Sequence, residues 1–112
     1  MKIIECIVRP SKVAAIQRSL SGYGVRGMTL TNVLGCGSQK GITEFYRGYS
    51  ITNDFFIKTK IELLVADEVV HYLVEVINTI ANTGEPGDGK VFISNIENAV
   101  RIRSFECGNM VI

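Results

Sequence analysis

Apolar residues along this chain change period twice, from two to about 3.6 and back. In "KIIECIVRP", Ile4, Cys6 and Val8 alternate with Ile3, Glu5, Ile7 and Arg9 until Pro10 stops the strand. Val13, Ile16 and Leu20 then recur at helical spacing, with Ser11 as the expected N-cap and "SGYG" as the stop. "GMTLTNVLG" alternates again as a second strand. After a long interval, "IKTKIELLVA" makes a third strand with Lys58, Lys60 and Glu62 on one face. Asp67 stands as the expected cap of a second helix, striped by Val70, Leu73, Ile77 and Ile80. "NTGEPGDGK" breaks that helix, "VFISNI" is a fourth strand, and "AVRIRSFECGNMVI" adds a short alternating piece.

The order β-α-β-interval-β-α-β has two halves of the same plan without a matching sequence repeat. Four strands with two helices on one face form the ferredoxin-like α+β sandwich, here expected as one domain over residues 1–112. The other sheet face is also expected to be partly apolar, through Ile3, Ile7, Leu30 and Leu34. Such a face needs a cover, and another copy of the chain is the natural one, so a homo-oligomer is expected.

Bulk composition excludes several classes. The hydrophobic share of 46% supports a core, but no apolar run approaches the roughly 18 residues of a membrane span. The start, "MKIIECIVRPSK", reaches Glu5 too soon for a signal peptide. Three widely spaced cysteines, Cys6, Cys36 and Cys107, suit neither a disulfide framework nor a zinc site, and point to reduced thiols in a cytosolic-type compartment. A net charge of +1 makes any anion site a local one. His71 has no partner at metal spacing, and no nucleophile–base set stands out. The basic and aromatic stripe of a single-strand RNA reader is also missing from the sequence.

Local candidates remain. In "TGEPGDGK" (residues 83–90), glycines let backbone N–H groups converge on an anion and Lys90 adds charge; a plain turn is the other reading. In "RIR", Arg101 and Arg103 point the same way if the segment is extended, which suits a polyphosphate or else a solvated surface pair. "SQKG" offers the Gln39 carbonyl for a magnesium shell and Lys40 for an anion, or is a hydrophilic loop mouth. Lys58 suits a small dicarboxylate, although composition alone favours an ordinary exposed strand lysine. The interval over residues 37–56 mixes glycine, charge, amide and aromatics with no clean period. Long intervals without regular structure are uncommon in compact domains and mostly functional.

Taken together, "RGMT" (26–29), "GSQKG" (37–41), "YRG" (46–48), "DF" (54–55), "KTKIE" (58–62), "TGEPGDGKVFIS" (83–94) and "AVRIRS" (99–104) resemble the PII signal-transduction proteins, sensors of nitrogen and carbon status. The resemblance runs nearly end to end, and Gly-Asp-Gly-Lys followed at this distance by Arg-Ile-Arg is its most specific part. It implies a homotrimer with the sheets facing inward and ATP or ADP in clefts between subunits. Gly87, Asp88, Gly89 and Lys90 would line the phosphate side, with Arg101 and Arg103 reaching over from the next subunit. Thr29 would contact the adenine end, and Gly37 and Ser38 would close over the nucleotide. With Mg2+ present, 2-oxoglutarate would chelate the metal alongside Gln39, pair with Lys58 and be held by Lys40 and Gly41.

The interval, about residues 37–55, would then be the family's effector loop, with Tyr46, Arg47, Gly48, Tyr49, Ser50 and Ile51 at the tip that grips partners. A loop without its own core is cheap to reshape, and a ligand that uses its base residues shifts its population. The implied partners are an ammonium channel or an enzyme of nitrogen or arginine metabolism, with no nucleic acid and no membrane insertion. The implied protein is cytoplasmic, or in the plastid stroma for an algal or plant chain, and not an enzyme beyond slow ATP hydrolysis.

The chain also departs from the family. Ile51 stands where many members carry a uridylylated tyrosine, which excludes that modification there. Tyr49 stands where some carry a phosphorylated serine, and Ser38 where many carry an arginine, so a weaker or altered nucleotide grip is expected. The tail "FECGNMVI" is more apolar than the family pattern. The alternative reading is a divergent relative that senses adenine nucleotide alone or another small anion, serving a carbon or transport system.

Overall fold

The computed structural model describes residues 1–36, the backbone of 43–46 and 49–52, and residues 55–112. Its elements are β1 (Lys2–Val8), α1 (Val13–Gly22), β2 (Thr29–Cys36), β3 (Thr43–Tyr46), β4 (Tyr49–Thr52), β5 (Phe55–Val65), α2 (Val70–Ala81) and β6 (Lys90–Asn95). The main sheet is antiparallel in the order β2-β5-β1-β6, so the first strand of the sequence lies inside and β2 and β6 form the edges. This is the expected ferredoxin-like sandwich.

Alternation in β1 and β5 builds the core. Ile4, Cys6 and Val8 are buried on one face, opposite Leu63, Ile61 and Thr59. Ile16 and Leu20 of α1 and Leu73 and Ile77 of α2 close over them. Burial of each such side chain contributes roughly 1.5–3 kcal/mol, which makes this layer the main source of stability. It also pushes the Cys6 thiol up to about 11, so that thiol is chemically quiet. Among the described residues, no helix is long and apolar enough to cross a membrane.

Register corrects the expected open face. Ile3 and Ile7 do lie away from the helices, but Leu30 pairs with Ile61 and Leu34 with Ile57, on the helix side. They are 51% and 71% exposed there, beyond the cover the helices give. Leu64 and Phe92 take their place on the open face, Leu64 opposite Ile3 and Phe92 opposite Glu5. Parity within one edge strand cannot be read without its register, and a one-residue slip reverses it.

Both expected caps differ too. Ser11 lies inside a 3-10 turn, Pro10–Lys12, that runs straight into α1 without a side-chain cap bond. Asp67 opens the 3-10 turn Asp67–Val69, and its carboxylate takes the Met1 amine at 2.9 Å instead of a helix N–H. That contact holds it below the usual carboxylate range.

The interval between β2 and β5 is not without regular structure. Thr43 pairs with Thr52 and Tyr46 with Tyr49, a short antiparallel pair of strands. Aromatic and β-branched residues favour strands, but these two runs are only four residues each and mixed with charge, so the pattern is easily missed.

Candidate functional site

The loop between α2 and β6 is organised around a carboxylate of its own. Asp88 Oδ2 accepts the backbone N–H of Thr83 at 2.7 Å and of Gly84 at 3.0 Å. Its Oδ1 accepts the Thr83 hydroxyl and the Arg9 guanidinium, the latter at 3.3 Å. Arg9 also donates to the Pro86 carbonyl at 2.9 Å, which fixes the loop to the end of β1. The Thr83 hydroxyl bond, then the backbone bonds and Arg9, hold the Asp88 carboxyl down at about 2. Part of the converging N–H set expected for an external anion is thus used by this internal one.

On either side of Asp88 the backbone turns left-handed. Gly87 has φ of 100° and Gly89 of 105°. A Cβ at Gly89 would come within 1.7 Å of the Ile7 carbonyl oxygen, so only glycine lets the loop lie this close to β1. Lys90 then starts β6 opposite Ile7.

Lys58 joins this cluster from the sheet. Composition favoured an exposed lysine, yet it is only 4% exposed. It lies on the open face opposite Val33, with its ammonium 4.9 Å from the Phe56 ring centroid and donating to the Gly87 carbonyl. Burial lowers its pKa, Arg9 lowers it further, and Asp88 opposes both. An ammonium has three donors, and among the described residues one is engaged. Arg9, Lys58 and Lys90, from β1, β5 and β6, therefore make one end of the open sheet face a cationic corner with a glycine-lined wall.

A second cleft, of about 1030 Å³, lies at the other edge. There β5 runs past Glu62, the partner of Thr29, so the sequence Leu63–Val65 has no β2 neighbour among the described residues. Thr29, Gly27, Glu62, Leu64, Arg101 and Ile112 line this notch.

Thr29 on β2 and Lys90 on β6 are three strand spacings apart, roughly 14 Å. The expected nucleotide residues therefore fall into two groups. The loop of Gly87, Asp88, Gly89 and Lys90 meets Lys58 through the Gly87 carbonyl, while Thr29 and Arg101 share the notch. The extended geometry expected for "RIR" is corrected: Val100 bridges Cys107, Arg101 accepts the Phe105 N–H at 2.8 Å, and residues 102–104 form a turn. Arg101 is half-buried and Arg103 exposed, and the turn between them removes the strand alternation that would align them. Phe105 at φ of 60° reverses the chain there.

Gly37, Ser38, Gln39, Lys40, Gly41, Arg47 and Gly48 lie outside the described residues, as do the side chains of Tyr46, Tyr49, Ser50 and Ile51. Among the described residues, no group of three acidic, histidine or cysteine side chains could hold a metal. Sequence reasoning missed Arg9 and Thr83, whose roles depend on contacts 77 and 5 residues away. It also missed Glu62 and Ile112 as notch walls.

The fold and this corner define a ferredoxin-like domain whose sheet carries a charged, glycine-lined loop at one edge and an open notch at the other. The family model "Nitrogen regulatory protein P-II" matches residues 1–106. Nitrogen regulatory protein P-II of Haemophilus influenzae is 47% identical over 106 residues, covering 95% of each chain. Nitrogen regulatory protein P-II 2 of Methanothermobacter thermautotrophicus is 47% identical over 112 residues, 100% of this chain and 97% of the relative. The solved structure of B. subtilis GlnK superposes with a TM-score of 0.81 at 36% identity, covering 99% of this chain and 97% of that one. A B. subtilis GlnK-ATP complex gives 0.81 at 30%, covering 99% and 94%. The chain belongs to the nitrogen regulatory P-II family, regulators in nitrogen signalling.

Proposed function

We propose that this P-II protein is a homotrimer that binds ATP or ADP between subunits, senses 2-oxoglutarate beside the nucleotide, and passes the result to a channel or enzyme of nitrogen metabolism through the segment between β2 and β5. The observation that carries the reading is the split of the site. One chain offers a cationic phosphate corner at β6 and a notch for a base at β2, roughly 14 Å apart. A nucleotide between subunits would take the corner of one copy and the notch of its neighbour, as the family resemblance implies. The partly apolar open face, with Ile3, Ile7, Leu64 and Phe92, supplies the surface on which copies would pack. The homotrimer fits the family, and ATP is the ligand of the similar GlnK-ATP complex.

The residues fit the ligands by charge and shape. Lys58 and Lys90 face the side where phosphates would lie, and the left-handed Gly87 and Gly89 let a polyphosphate approach the backbone. Asp88 would act as the organiser of this wall rather than as a direct contact. Mg2+ keeps much of its shell as water and phosphate oxygen, so the reading asks only Gln39 of the protein. Lys58 would turn its unused donors to the distal carboxylate of 2-oxoglutarate, with Lys40 and Gly41 at the loop base. Nothing in the two clusters supplies a nucleophile or base for fast turnover, so we read the protein as a regulator and not an enzyme.

Calorimetric titration of 2-oxoglutarate into the protein with Mg2+, once with ATP and once with ADP, tests this. Binding with ATP only is the expected result, because the metal links the two ligands and the coupling is reciprocal. Nucleotide binding without any 2-oxoglutarate binding would support the alternative, a sensor of nucleotide alone.

A further inference from the structure

Lys58 is nearly buried, yet it has no acid of its own to steady its charge. Asp88, the acid that acts on it, is paired with Arg9 at 3.3 Å, and Arg9 itself repels the ammonium. Lys60, next on the same face, is paired with Glu62 at 3.3 Å. The Gly87 carbonyl takes one ammonium proton. The remaining neighbour is the Phe56 ring, whose centroid lies 4.9 Å from Lys58 Nζ. Phe56 and Lys58 are two residues apart on β5, so both side chains stand on the open face. The ring is seated in turn on β2. Phe56 pairs with Gly35, and a Cβ added at Gly35 would lie 2.8 Å from Phe56 Cε2 and 3.3 Å from Cδ2. The ring therefore covers bare backbone, in a place that only glycine leaves open.

We propose that Phe56 is the positioning residue of Lys58: its ring face, seated on Gly35, holds the ammonium against the Gly87 loop, so the affinity of the cationic corner for a carboxylate depends on the electrons of this ring. The proposal rests on the reading of Lys58 as the partner of the distal carboxylate of 2-oxoglutarate. The face of an aromatic ring is negative, and it attracts a cation most strongly where water is excluded. It does so without accepting a directed proton, so the ammonium keeps donors for an arriving carboxylate. An acid in the ring's place would compete with that carboxylate and repel it. Burial and Arg9 both favour the neutral amine at Lys58. The ring opposes them, and it restricts the long lysine stem before the ligand arrives.

The test places mono-, di- and trifluorophenylalanine at position 56, which weakens the negative ring face stepwise at nearly constant volume. 2-Oxoglutarate affinity is measured with Mg2+ and ATP, and the protonation midpoint of Lys58 is followed without ligand through its Cε resonance. Each fluorine is expected to weaken 2-oxoglutarate and to move the Lys58 midpoint down, with Tm held. The trifluoro protein should lose about three-fold or more in affinity. Gly35→Ala, which displaces the ring without changing it, should weaken 2-oxoglutarate in the same direction. Once Phe56→Leu has removed the ring, Gly35→Ala should cost less than about two-fold more. If either quantity is indifferent to fluorination in a protein that binds 2-oxoglutarate, the proposal is overturned and the ligand reading stands. A wild type that binds no 2-oxoglutarate overturns the ligand reading, and the ligand-free midpoint of Lys58 then decides the part of the ring.

Discussion

Lys58, on the open face of β5, donates its ammonium proton to the carbonyl of Gly87, 29 residues further along the chain. This bond ties the central sheet to the loop before β6. It also holds a nearly buried cation at the point where an anionic ligand would arrive, with Phe56 beneath it and Arg9 nearby.

Replacing Lys58 with Met keeps the stem and removes the charge. A hydrogen bond to a charged group contributes about 1.5–3 kcal/mol, so 2-oxoglutarate affinity should fall roughly 10- to 100-fold. ATP affinity should fall less, because Lys90 and Arg101 remain. Calorimetry on both ligands reads the two losses separately. An equal loss for both would move Lys58 from the dicarboxylate to the phosphates.

Asp88 gives the loop an acid dependence with a definite sign. Its carboxyl is held at about 2 in the fold, below the ordinary value of about 3.9. The stability it contributes is therefore fully present above the ordinary value and is lost as pH falls through about 2. Asp88→Asn should be less stable than wild type at neutral pH in urea titrations, and the gap should close between about pH 4 and pH 2. Amide exchange at Thr83 and Gly84, whose N–H groups the carboxylate accepts, should quicken in the variant at neutral pH.

Two glycine-to-alanine changes should act in opposite directions. At Gly89 the new Cβ meets the Ile7 carbonyl and φ is 105°, so a loss on the order of 3 kcal/mol is expected. Gly22, at the exposed end of α1, has nothing within 4 Å, and alanine there should be neutral or stabilise by up to about 1 kcal/mol. Thermal unfolding of both variants separates the cases. A stable Gly89→Ala protein would mean that the loop can leave β1 without cost.

These cases show which parts of the molecule were legible in the sequence. The two passages from strand period to helix period and back set the strand and helix order and the buried stripe of Ile4, Ile16, Leu20, Ile61, Leu73 and Ile77, because periodicity follows directly from which face is buried. Leu30 and Leu34 were placed on the wrong face because parity depends on pairing with β5. Lys58 was read as exposed because its ammonium meets the Gly87 carbonyl, a contact from 29 residues away, beside the Phe56 ring on its own strand. Ser11 and Asp67 failed as caps because the chain enters each helix through a 3-10 turn, and Asp67 found the Met1 ammonium first. The pair Arg101 and Arg103 was read from an extended period that the turn at 102–104 interrupts. Site residues were easier to name, through the family resemblance, than to arrange.

The split site makes a prediction that no single-chain account shares. Lys90 belongs to the cationic corner and Arg101 to the notch, toward opposite edges of one sheet. If each nucleotide uses the corner of one copy and the notch of its neighbour, Lys90→Gln and Arg101→Gln homotrimers should each bind ATP weakly at every site. Unfolding and refolding the two variants together should mix their chains. Some interfaces in the mixed trimers would then pair an intact corner with an intact notch, and a fraction of sites should bind with wild-type affinity. Titration of the mixture should show that tight class, absent from either variant alone. Simple averaging of the two weak affinities, with chain exchange verified by mass, would mean that both residues serve a site within one subunit.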